Sequence, residues 1–223
     1  MTDLTPIHST IAFPESQTRN QFYKRHGKRG LDVCLALLMA APVASVVALL
    51  WVLARLDGGT GFYGHKRVGR NGRMFTCWKI RTMRPDAEAQ LQDLLNRNPA
   101  ARAEWTKGRK ITDDPRVTML GRLLRKTSLD ELPQLWNVLI GDMSLVGPRP
   151  VPLNELRLYG SHSNFYLKLR PGITGLWQVS GRNAVDYDTR INMDVRYASG
   201  VSVSKDLVIL FRTIGCVLKR SGL

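Results

Sequence analysis

The chain has 223 residues, enough for one domain with a sizeable core and one appended element. Its 33 Lys and Arg against 18 Asp and Glu give a net charge of +15, which calls for an anionic partner: nucleic acid, the anionic face of a membrane, or a phosphorylated substrate. Three widely spaced cysteines, Cys34, Cys77 and Cys216, form no CxxC pair, which argues against a disulfide framework or a zinc site and fits a reducing cytosolic setting.

Residues 1–30 are polar, basic and without periodicity, and read as a flexible tail. From Val33 to Ala54 follow 22 residues without a charge. A straight helix of that length reaches roughly 33 Å, about one hydrocarbon core. A cleaved signal peptide does not fit, because a long polar stretch precedes the run and its apolar part is too long. Two dispositions remain. Hydropathy suits a single transmembrane span. The flanks suit a re-entrant hairpin: Lys24, Arg25, Lys28 and Arg29 lie before the run, and Arg55, Lys66, Arg67 and Arg70 after it. Positive charge marks the cytoplasmic side, and here it marks both ends. Pro42, near the middle, removes a backbone hydrogen bond and bends a helix.

Leu56–Gly61 reads as a linker. Phe62–Val68 and Met74–Met83 read as strands joined through Asn71-Gly72, a hairpin-turn signal. The two-residue period puts Lys79 and Arg81 on one strand face, either as a solvated edge or as anion ligands. Asp86 to Asn96 reads as a helix. Asp114-Pro115 makes a turn into a short basic helix that carries Arg122, Arg125 and Lys126.

Next come two adjacent carboxylates, Asp130 and Glu131, in the stretch TSLDELPQLWN. With Asp130 as N-cap, Leu132, Leu135, Trp136 and Leu139 form an apolar stripe and Gly141 ends the helix. The structural reading of the pair is then a cap and a residue favouring the helix's positive end. The chemical reading starts from the same place. A helix N-terminus beside Arg125, Lys126 and Arg149 gathers phosphate, and nearby cations keep an aspartate ionised. An ionised carboxylate can attack phosphorus, provided Mg²⁺ or arginines neutralise the phosphate oxygens. Beyond this, GPRP and RPGITGLWQVSGRN are Gly/Pro-rich loops carrying Arg149, Arg170 and Arg182. Residues 206–220 form an amphipathic basic helix suited to a membrane surface or to packing on the domain.

The segments KIRTM, RKTSLDELPQLWNVLIGDMSLVGPRP and RPGITGLWQVSGRN, in this order and spacing, resemble the bacterial sugar transferase family. These are the monotopic polyprenyl-phosphate phosphoglycosyl transferases, and the similarity runs from about Lys28 to Arg220. The short chain looks most like the hexose-1-phosphate (galactose or glucose) transferases that initiate exopolysaccharide or O-antigen assembly. The resemblance implies an α+β fold: a helix-rich cytosolic catalytic domain with a β-hairpin over 57–223, and a re-entrant membrane helical hairpin over 31–56 bent at Pro42. It implies a bacterial inner-membrane protein whose catalytic domain lies on the cytoplasmic side. Its partners would be a UDP-hexose, undecaprenyl phosphate and the cytoplasmic leaflet, with no nucleic acid and with a homodimer left open.

Asp130 would attack the β-phosphate and expel UMP, and undecaprenyl phosphate would then take the sugar-phosphate. Glu131 with Asp130 would hold Mg²⁺, and Lys79, Arg81, Arg125, Arg149 and Arg182 would bind phosphate or nucleotide. One departure is Ala41, where many members have Ser before the proline. A non-enzymatic alternative is a membrane-tethered nucleic-acid-binding or scaffold protein.

Overall fold

The apolar run forms one helix that is continuous through Pro42. In this computed structural model, which describes residues 22–108, 111, 114–180 and 185–218, helix α1 spans Lys28–Arg55 after a π-turn at Tyr23–Gly27. The expected tail is therefore helical from residue 23 onward, and residues 1–21 lie outside the described residues. Pro42, where a bend is expected, lies inside this uninterrupted helix, and Ser45 donates its hydroxyl to the Ala41 carbonyl at 3.2 Å. Such a back-bond one turn along favours bending. Residues 23–55 make a helix long and apolar enough to cross a membrane.

That helix is packed on one side only. Ala36, Val43, Val47, Leu50 and Ala54 recur at helical spacing along the face that meets the rest of the chain. Leu37, Leu38, Val46, Leu49 and Val52 face outward and stay exposed.

A hairpin follows, β1 (Phe62–Val68) against β2 (Met74–Ile80), with Phe62 opposite Ile80 and Val68 opposite Met74. Asn71 takes the left-handed conformation at φ 57° and Gly72 at φ 78°, as the Asn-Gly signal requires. The second strand stops at Ile80, short of Met83, which forms only an isolated bridge to Val117. Helix α2 (Ala87–Arg97) lies close to its expected place. Helix α3 (Pro99–Gly108) does not appear in the sequence reading, although its start carries a legible signal. The Asn98 side chain accepts from the Ala100 and Ala101 amides, and Pro99 stands in the first turn. Helix α4 (Met119–Thr127) is capped by Thr118, whose hydroxyl accepts from the Gly121 amide.

The acidic pair departs from its expected geometry. Ser128, left-handed at φ 59°, closes α4, and Leu129–Glu131 form a 3₁₀ turn. Helix α5 (Gln134–Ile140) begins only after Pro133, so Asp130 does not cap it. Pro133 has no N–H to offer an intrahelical partner, which suits the junction where the turn passes into the helix. The buried face of α5 is Gln134, Leu135, Asn137 and Val138, and Trp136 is 59% exposed, outside the expected stripe. Gly141, at φ 93°, ends the helix as expected.

The loops after α5 hold a two-stranded parallel pair, β3 (Ser144–Val146) beside β4 (Gly172–Thr174), separated in sequence by the short helices α6 (Leu153–Leu156) and α7 (Ser163–Leu167). A Cβ on Gly172 would run into the Gly147 backbone, so glycine at this position lets the two Gly/Pro-rich loops touch. Helices α8 (Tyr187–Ser199) and α9 (Val203–Leu218) complete the domain. The last helix buries Asp206 and Ile209 and presents Leu207, Ile214 and the 74%-exposed Phe211 outward.

A buried polar cluster ties α1 and its leading turn to this body. Asp206 accepts from Tyr23 and Tyr197 at 2.7 Å each and pairs with Lys28 at 2.8 Å. Asp32 accepts from the Ser144 hydroxyl and the Leu145 amide. At the C-terminal end of α5, Arg29 donates to the Val138 and Leu139 carbonyls.

A second buried carboxyl makes stability depend on pH. Asp194, 3% exposed, accepts from the Tyr159 hydroxyl at 2.7 Å, and its other oxygen has no hydrogen-bond partner. Burial pushes it from 3.8 up to about 7, against the smaller opposing effect of the Tyr159 bond. Below about pH 4 it is protonated in folded and unfolded chains alike, and its contribution is fully present. Between there and about pH 7 the unfolded chain releases the proton while the folded one keeps it, so stability falls, by roughly 4 kcal/mol in all. Asp194→Asn keeps an acceptor for Tyr159 and is expected to flatten this slope. Unfolding midpoints measured from pH 4 to 8 check it, and an unchanged slope in the variant would assign the effect elsewhere.

Candidate active site

The left-handed Ser128 turns the chain sharply enough to set Asp130 and Glu131 side by side against β2. From that strand Lys79 reaches both carboxylates, with Nζ 2.5 Å from Glu131 Oε1 and 3.8 Å from Asp130 Oδ2. Arg125, in the last turn of α4, donates Nε to the Thr82 hydroxyl at 2.9 Å and is one of the cations acting on Asp130. Asp130 is 8% exposed. Burial raises its carboxyl above the ordinary range and Glu131 adds to that; Lys79 and Arg125 pull it down. Burial outweighs the pull, so the expected ionising effect of the cations is real but partial.

Beside the pair opens a small cleft. Lys79, Glu131 and Arg149 line it, joined by Arg67, Gln134 and Gln178. Asp130 is not among the residues lining the cleft and meets it through Lys79, 3.8 Å away. Arg149 lies over the Trp177 ring at 5.9 Å, with Arg190 also over that ring at 4.8 Å.

The structure thus gathers Lys79, Arg125, Asp130, Glu131 and Arg149. Arg81 stands apart. Its side chain is 8% exposed and is held by the Ala54 carbonyl at 2.7 Å and by Asp57, securing the C-terminal end of α1. The shared face expected for Lys79 and Arg81 fails because β2 ends at Ile80. Arg182 lies outside the described residues. Arg67, Cys77, Gln134, Trp177 and Gln178 were absent from the sequence reading of the site. Hairpin register is the signal for two of them: Cys77 lies opposite His65, so His65, Arg67, Cys77 and Lys79 share one face.

No group of three or more His, Cys, Asp or Glu side chains that could hold a metal is found among the described residues. Two adjacent carboxylates still suit Mg²⁺, which keeps several waters and takes its remaining ligands from substrate phosphates. In this structure Lys79 pairs with both carboxylates.

The pattern of the bacterial sugar transferase family matches residues 23–220. The exopolysaccharide production protein ExoY of Sinorhizobium fredii is 50% identical over 87% of this chain and 87% of its own length. The undecaprenyl-phosphate galactose phosphotransferase of Salmonella typhimurium is 49% identical over 87% of this chain but only 41% of that protein. The UDP-galactose-lipid carrier transferase of Erwinia amylovora is 46% identical over 99% of this chain and 47% of its own length. The chain therefore spans less than half the length of these last two relatives.

Proposed function

The chain belongs to the bacterial sugar transferase family, and on that premise we propose that it is a phosphoglycosyl transferase that moves hexose-1-phosphate from a UDP-hexose to undecaprenyl phosphate, the first step of exopolysaccharide or O-antigen assembly. The observation that carries this reading is the contact of one lysine, Lys79, with two adjacent carboxylates beside a cleft that holds Arg149. The relatives named for galactose support UDP-galactose as the donor.

In the first displacement an Asp130 oxygen bonds to the β-phosphorus of the donor. The bond from that phosphorus to the bridging oxygen breaks, and UMP leaves with the electron pair. In the second, a phosphate oxygen of undecaprenyl phosphate bonds to the same phosphorus and the Asp130 carboxylate departs. Neither step transfers a proton, so the chain contributes orientation and positive charge. Lys79 offsets the charge of both carboxylates and so lessens their repulsion of the diphosphate. Arg149, steadied by the Trp177 face, grips phosphate oxygens. Mg²⁺, held by Asp130 and Glu131, would supply further neutralisation of the phosphate oxygens.

The reading extends to the membrane. Helix α1 would enter and leave the cytoplasmic leaflet of the bacterial inner membrane, with α9 lying on its surface. Both ends of α1 are bound to the same body, through Arg29 at one end and Arg81 at the other, which supports entry and exit on one side. The outward stripe of α1 and the exposed Phe211 and Ile214 support contact with lipid.

The test is UMP release by the full chain in nanodiscs with undecaprenyl phosphate and a panel of UDP-sugars. Release is expected with a UDP-hexose, UDP-galactose first, and no release with any sugar defeats the proposal. Single cysteines placed at positions 20 and 60 should both react from the cytoplasmic side, and periplasmic labelling of either would favour a full span.

A further inference from the structure

Two of the cations gathered at the site are engaged by oxygens of the protein: Lys79 is paired with Glu131, and Arg125 with the Thr82 hydroxyl. Arg67 and Arg149 differ. Both line the cleft, and among the described residues neither forms an ion pair with a carboxylate. The contact recorded for Arg67 is Nη2 to His65 Nδ1 at 3.2 Å, and that for Arg149 is the face of Trp177.

His65 is held below its ordinary value, by burial first and then by Arg67 and Lys79. Its ring is therefore neutral at pH 7, and Nδ1 accepts from the guanidinium and fixes its orientation. Burial first, and then the neighbouring Arg149, act against the charge on Arg67, while Cys77, Glu155 and Tyr166 act for it. Two like charges kept together in a half-buried cleft repel each other, and Glu155 offsets this only at a distance, forming no ion pair with either guanidinium. The arrangement suits a guest bearing two negative charges. Gln134, 2% exposed, lines the same cleft and adds an amide to it.

We propose that Arg67 is a substrate-binding residue that, with Arg149, clasps the diphosphate of the nucleotide-sugar donor. The role rests on the phosphoglycosyl transferase reading above. It assigns the two arginines of the cleft to the two phosphates, each guanidinium meeting phosphate oxygens in the paired geometry that lysine cannot reproduce. UDP, which carries the same diphosphate, should occupy this place without any turnover.

The experiment measures UDP affinity calorimetrically, and the KM and kcat for UDP-galactose, with the full chain in nanodiscs. Arg67→Gln is expected to weaken UDP binding about tenfold to a hundredfold, the range for losing hydrogen bonds to a charged group, and to raise KM more than it lowers kcat. Arg67→Lys keeps the charge but not the fork and should fall between the variant and the natural chain. If Arg67→Gln does not fold, Arg67→Lys decides by the same affinity measurement. Natural UDP affinity in a folded Arg67→Gln, or in Arg67→Lys where the former is unfolded, overturns the proposal. A natural chain that binds UDP and releases UMP while the variants match it sinks this inference alone; one that neither binds UDP nor releases UMP sinks the functional reading itself.

Discussion

Asp130→Asn is expected to lower UMP release by roughly four orders of magnitude or more, the scale of loss when a covalent nucleophile is removed. The amide fills the same space in the 3₁₀ turn and leaves Lys79 its 2.5 Å partner in Glu131, so the fold should survive. What disappears is the oxygen able to form a bond to phosphorus and then leave as a carboxylate. Without lipid acceptor, the natural chain should release about one UMP per protein and gain the mass of a hexose phosphate, and the variant should do neither. Turnover near the natural rate in Asp130→Asn would rule out the covalent route and point to direct attack by the lipid phosphate.

Asp206→Ala is expected to cost about 3–5 kcal/mol of stability, the range for breaking a buried ion pair by deleting one partner. Asp206 is 1% exposed and takes hydrogen bonds from Tyr23, Tyr197 and Lys28, joining α1 and its leading turn to α8 and α9. Its loss leaves the Lys28 ammonium only its 4.0 Å pair with Asp32, takes the acceptor from the buried Tyr23 hydroxyl, and leaves Tyr197 only the Val146 carbonyl. Replacing the pair together, Lys28→Met with Asp206→Leu, should restore much of the loss, because an apolar pair carries no desolvation penalty. Unfolding midpoints in detergent measure both. A single variant as stable as the natural chain would show that the cluster contributes nothing to holding the helix.

Local features were legible where the cause is local. The Asn71-Gly72 turn, the Gly141 helix end and the apolar run from Val33 each follow from the conformational or transfer preference of a few neighbouring residues. The extra helix at Pro99 carried an equally local signal in Asn98. The site was legible in part. Lys79, Asp130, Glu131 and Arg149 stand out by residue type and by resemblance, and the structure brings them to one place. Arg81 stands two residues beyond Lys79, but β2 ends at Ile80 between them, and Arg81 serves the end of α1 instead.

By itself the sequence determined that this chain carries an apolar segment flanked by positive charge, a hairpin, and an acidic pair set among cations. Those properties reside in composition and short-range spacing. Only the tertiary structure decided that Asp130 lies in a 3₁₀ turn rather than on a helix cap, and that Arg67 rather than Arg81 joins Arg149 at the cleft. It also decided that Asp206 holds Lys28 across 178 positions of sequence. The physical reason is the same in each case. A buried charge goes where a partner or a guest can balance it, and that balance is struck between groups distant along the chain.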